Sequence, residues 1–148
     1  MERNIIHPAI HGTTSILNSA LKTSSIRRVV ITSSIVAIVP GKVLSQGDSS
    51  STTYNSSSRV RPSPTSPFEE NAATAYRAAK ALALDATDRF LIDKKPHFTI
   101  VNVMPGYVIG ENALATDREG LSDGSNALIT TIIQGIKAPI ARPGSGCS

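Results

Sequence analysis

The 148-residue chain is long enough for one ordinary domain, and its 40% hydrophobic content fits a globular protein. Its net charge of +4, from 15 basic and 11 acidic residues scattered among few aromatics, is too mild for a nucleic-acid binder. One cysteine, Cys147, excludes a disulfide framework and a Cys-based metal cage, and no apolar run is long enough to cross a bilayer.

The opening MERNIIHPAIHG has no apolar run of the kind a signal peptide needs, so a cytoplasmic chain is expected. The first helix is predicted in HPAIHGTTSILNSALKTS. Pro8 suits an early helical position, and Ile16, Leu17, Ala20 and Leu21 recur at helical spacing as a buried stripe. Gly12 in this pattern is either a weak point or a place where another backbone comes close. His7 and His11 stand four apart, but no third ligand lies near them, and no metal is expected.

RRVVITSS follows. Val29, Val30 and Ile31 form a short continuous β-branched run, which predicts a strand buried on both faces, as in a parallel sheet. Ligands of open parallel sheets collect beyond the carboxyl ends of the strands, where Thr32, Ser33 and Ser34 fall. Residues 45–67 are rich in Ser, Thr and Pro and have no apolar period. They are expected to form a solvated, mobile surface loop. That loop holds an Asn55-Ser56-Ser57 glycosylation pattern and the Ser63-Pro64 and Ser66-Pro67 pairs, which carry little weight without a secretory signal or a partner.

Phe68, Glu69 and Glu70 open a long Ala-rich helix, with acids at its positive end, that runs to about Lys94 and stops before Pro96. FTIVNVMPGYVIG supplies a second strand, broken at Pro105-Gly106. SNALITTIIQGI predicts a last helix with Ser125 or Asn126 as its cap. Strands alternating with helices imply an α/β layer structure with right-handed crossovers.

Within the long helix, AYRAAKALAL places Tyr76 four residues before Lys80, so both leave one face. An ammonium beside a phenol eases proton loss from the phenol. Such a phenol can give a proton to a carbonyl oxygen or take one from an alcohol. A serine hydroxyl at the neighbouring strand end can hold the same oxygen. No side chain supplies a hydride. Taken singly, each of these residues reads as ordinary surface or strand-end polarity.

Together, a buried strand ending in TSS, a Tyr-x-x-x-Lys helix and a second strand leading into PGYVIG resemble the extended short-chain dehydrogenase/reductases. The similarity is greatest to their dihydroflavonol reductase, cinnamoyl-CoA reductase and fungal ketoreductase branch. IIHPAIHGTTSILNSALKTSSIRRVVITSS, AYRAAKALA and FTIVNVMPGYVIGEN carry it. The resemblance implies a Rossmann-type doubly wound parallel sheet, with residues 1–148 as a single partial NAD(P)-binding domain. It implies Ser34, with Ser33 second to it, as the group that positions a substrate carbonyl. Tyr76 is implied as general acid/base, and Lys80 as the partner of Tyr76 and of the nicotinamide ribose. Thr32 and Ser33 would line the nicotinamide pocket, and Pro105, Gly106, Tyr107 and Val108 would pass beneath the ring. The implied reaction is hydride transfer between NADP or NAD and a small ketone or aldehyde, in secondary metabolism or detoxification.

The sequence departs from that family in lacking its opening Gly-rich βαβ half. GSGCS near the end follows no strand and opens no helix, so it does not replace the missing turn. The resemblance is therefore to a middle piece, truncated at both ends. An alternative follows: a catalytically inactive remnant that binds a partner. Either way, an apolar strand edge without a neighbour is expected, able to recruit another chain or a second copy.

Overall fold

The structure, a computed structural model, describes residues 5–46, 52–62, 72–117, 120 and 124–135. The predicted start of the long helix at Phe68, the Ser63-Pro64 and Ser66-Pro67 pairs, and Cys147 lie outside them.

Helix α1 (His7–Leu21) starts with Pro8 in its first turn, and strand β1 (Arg28–Thr32) follows. A 3-10 turn (Ile35–Ala37) and a short helix α2 (Gly41–Gln46) come next; neither has a periodicity long enough to read from sequence. The chain continues through α3 (Ala72–Lys94), β2 (Thr99–Val103) and α4 (Asn126–Ile133). Helix α3 ends with Lys95 in the left-handed conformation (φ 43°), just before Pro96.

Among the described residues the sheet has two strands, β1 and β2, paired in parallel from Arg28 against Thr99 to Thr32 against Val103. The crossover between them is α3, as the alternating pattern requires. Fold class and parallel pairing thus follow the sequence reading.

The burial of the strands does not. Val29, Ile31 and Ile100 pack with Leu17, Ala20, Phe90 and Phe98 in one core beneath α1 and α3. On the opposite face Val30, Val101 and Val103 are exposed. The run of β-branched residues predicted two covered faces, and one is covered.

Helices α1 and α3 join through a second cluster, in which Ile6 and Ala9 meet Ala78 and Ala79. Small side chains on α3 let the two helices come close, and Leu17 and Leu84 are fully or almost fully buried. Ile16, expected in the buried stripe, is instead exposed. A Cβ on Gly12 would meet nothing within 4 Å, so the close backbone approach considered for it is not realised among the described residues.

Part of the Ser-rich segment is built, not simply solvated. Asn55 Oδ1 accepts from the Ser57 N–H at 2.9 Å, making a local turn. Arg59 grips Asp88 of α3 through Nε (2.6 Å) and Nη2 (3.1 Å), while its Nη1 donates to the Ser56 and Ser58 carbonyls, both at 2.8 Å. Its hydrogen bond to Asp88 raises the Arg59 pKa from its ordinary value. The Val60 N–H then donates to the Ala37 carbonyl at 2.9 Å, fastening this segment to the 3-10 turn beyond β1.

Candidate functional site

The site forms where β1 ends beside α3. In the parallel ladder, the Thr99 N–H donates to Arg27 O (3.0 Å) and the Ser33 N–H donates to Val103 O (2.8 Å). Odd-numbered peptide groups of β1 therefore face β2, and those of Val30 and Thr32 face the other edge. Lys80 reaches that edge from α3. Its Nζ donates to the Thr32 carbonyl at 3.2 Å and lies 5.8 Å from the centroid of the Tyr76 ring. The i,i+4 spacing thus does what the sequence implied: one helix face presents a phenol and an ammonium together.

A cavity of about 480 Å³ opens along this edge. Thr32, Ser33, Tyr76 and Lys80 are among its polar lining residues, and Ala9 and Leu84 among its apolar ones. Tyr76 is 45% exposed. Lys80 commits one N–H to Thr32, and an ammonium has three. It therefore retains donors for a ligand while its position is fixed by the strand.

The two serines part company. Ser33 is buried at the wall of the cavity. Ser34 is buried too, but it is not one of the residues lining the cavity; it caps the 3-10 turn, its Oγ 3.4 Å from the Val36 N. Thr32 and Ser33 therefore sit with Tyr76 and Lys80, and Ser34 stands one residue further on.

Pro105, Gly106, Tyr107 and Val108 leave the end of β2 next to this group. The Ile35 N–H donates to the Pro105 carbonyl at 3.0 Å, which ties the loop to the 3-10 turn. Tyr107 and Val108 are 69% and 67% exposed, outside the cavity wall. His7 and His11 stack with centroids 6.1 Å apart, and no group of metal-ligating side chains occurs among the described residues. Sequence reasoning missed Asn102 and Thr87, which also line the cavity. For Asn102 the signal was a polar residue inside the apolar run of β2.

No family model matches the chain. It is 40% identical over 126 residues to an NAD-dependent epimerase/dehydratase, ALT6, of Alternaria alternata, covering 84% of this chain and 35% of that protein. It is 33% identical over 143 residues to the ketoreductase CTB6 of Cercospora beticola, covering 96% and 39% respectively. Among solved structures, the yeast methylglyoxal/isovaleraldehyde reductase Gre2, complexed with NADPH, superposes with a TM-score of 0.65 at 30% identity, over 76% of this chain and 33% of that one. The chain is thus similar to NAD-dependent epimerase/dehydratases and ketoreductases, and it spans between a third and two fifths of the length of these relatives.

Proposed function

We propose that this chain carries the catalytic centre of an NAD(P)-dependent reductase that interconverts a small ketone or aldehyde and its alcohol, in fungal-type secondary metabolism or detoxification. The contact that carries the reading is Lys80, held by the Thr32 carbonyl beside the Tyr76 ring in the lining of one cavity. Relatives named as ketoreductases and an NADPH-complexed structural neighbour support it.

The residues fit the nicotinamide end of such a cofactor. Lys80 has donors to spare for ribose hydroxyls, and the apolar part of the cavity suits a flat ring. When bound, the nicotinamide supplies the hydride. The chain's own residues do the rest. The Tyr76 hydroxyl donates a proton to the carbonyl oxygen as negative charge develops there, and the Lys80 charge stabilises the phenolate left behind. A hydroxyl of the strand end, Ser34 by resemblance or Ser33 by its place in the cavity, donates a hydrogen bond to the same oxygen. In the reverse direction Tyr76 takes the proton back.

A cytoplasmic location is part of this reading, and no helix among the described residues is long and apolar enough to cross a membrane. Among the described residues β1 is paired on one edge only, and the other edge, apart from the Thr32 carbonyl that Lys80 holds, offers a place for another strand, from a partner or a second copy.

A second reading is an inactive relative that binds a partner. Titration calorimetry of the chain with NADPH and NADH separates the two. Saturable micromolar binding, with reduction of a test aldehyde that falls by about a hundredfold or more in Tyr76→Phe, is expected of the enzyme. No heat at millimolar cofactor would leave the partner-binding reading.

A further inference from the structure

Strand β2 is apolar on both sides of Asn102: Ile100 and Val101 precede it and Val103 follows. Asparagine is depleted in strands, so an amide here costs the sheet stability. In the parallel register Asn102 stands opposite Ile31. Paired residues share a sheet face, and Ile31 and Ile100 both pack against the covered core. Asn102 is therefore on the covered side, beneath the helices, where an aliphatic residue would pack better. It is half-buried there and lines the cavity. The cavity opens along the edge of β1 that faces away from β2. Among the described residues Asn102 is the one member of β2 that reaches this space, and it does so across the covered face.

The polar groups of the lining differ in how their hydrogen-bonding capacity is used. Thr13 and Thr87 donate to the Ala9 and Ala83 carbonyls at 2.9 and 3.0 Å, within their own helices. Lys80 donates to the Thr32 carbonyl. The Asn102 side chain has no hydrogen-bond partner among the described residues. Yet no buried polar side-chain atom among them is left unsatisfied. The Asn102 amide is thus not sealed in, and the cavity it lines is where a partner can meet it. It brings two N–H donors and an acceptor oxygen to a lining that is otherwise largely aliphatic, with Ile5, Ala9 and Leu84 among its members.

A ligand that covers this amide without pairing it forfeits the hydrogen bonds that water would give. One neutral group meets both of its ends: a carboxamide sets a donor beside an acceptor in a single plane. A ketone offers only an acceptor. A carboxylate also offers only acceptors, and it turns a negative charge toward the Asn102 oxygen.

We propose that the cavity binds a neutral carboxamide carried on an apolar body, and that Asn102 is the residue that selects it. At about 480 Å³ the cavity has the size of a small-molecule site. The selection needs the cavity and not hydride transfer, so it goes beyond the reductase reading, and either can fail while the other stands.

The probes are benzamide, acetophenone and benzoate, which share a phenyl ring and differ in the polar group. Each is titrated by NMR into isotope-labelled wild type and Asn102→Leu. Wild type should bind benzamide about tenfold more tightly than either of the others, as expected for one further hydrogen bond of ordinary strength. The Asn102 side-chain NH2 resonances should move as benzamide binds. Asn102→Leu keeps the size of the side chain and removes its polarity. It should bind benzamide no more tightly than acetophenone, and its thermal midpoint should hold or rise by about 2 °C, since an unpaired amide leaves an apolar face. A purely structural amide predicts the reverse, a lower midpoint with the order of the probes unchanged. The proposal is overturned if wild type binds none of the probes at their solubility limits, or binds acetophenone or benzoate as tightly as benzamide. It is overturned equally if the Asn102 resonances stay still while benzamide binds, or if Asn102→Leu keeps the preference or loses stability.

Discussion

Val29 and Ile31 pack against the core under α1 and α3, whereas Val30, between them in β1, is 60% exposed. The same alternation runs through β2, where Ile100 is covered and Val101 and Val103 are open. Both faces carry β-branched side chains, so residue type does not separate them. What separates them is the pair of helices, joined through Ala78 and Ala79, that closes over one face alone. An apolar strand states that it can be covered on both sides. Whether it is covered depends on which elements the rest of the fold brings to it.

Substitutions on the two faces should therefore differ in kind. The largest effect is expected on the covered face. Leu17→Ala removes a fully buried side chain from the core shared by α1, α3 and both strands, and should lower unfolding free energy by about 3 kcal/mol in a urea titration. A loss under about 1 kcal/mol would mean that the core beneath the sheet is loosely formed.

A smaller effect of opposite sign is expected beside the cavity. Gly12→Ala should stabilise α1 by up to about 1 kcal/mol, since alanine is the better helix former and the added Cβ meets no atom within 4 Å. A drop in thermal midpoint instead would show that another segment fills the space along the β1 edge.

The smallest change belongs to the open face. Val30→Thr keeps the β-branched shape and should move stability by less than about 0.5 kcal/mol. A large destabilisation, checked by the same urea titration and by sedimentation, would show that a second copy or a partner covers this face in solution.

The elements with long or strongly patterned signals were legible from sequence. The early proline and apolar spacing of α1, the β-branched run of β1, the alanine content of α3 and the Pro96 stop after it all act locally, within a few residues of where they are read. The Tyr76 and Lys80 pairing was legible for the same reason: four residues on one helix fix their neighbourhood before any packing occurs. The 3-10 turn and α2 were not legible, because three and six residues are too short for a period to accumulate. In the Ser-rich stretch the Arg59 ion pair was not legible, since composition registers low apolar content and not partners.

By itself, then, the sequence determined the α/β class, the parallel pairing, and the meeting of a phenol and an ammonium on α3, all from short-range geometry that chain connectivity enforces. Only the tertiary structure decided which sheet face is covered, that Ser33 lines the cavity while Ser34 caps a turn, and that Lys80 is moored to Thr32, Arg59 to Asp88 and Gly110 to Asn126. Those contacts join residues 48, 29 and 16 positions apart. Their partners are chosen by how helices and strands pack, and no local propensity encodes that choice.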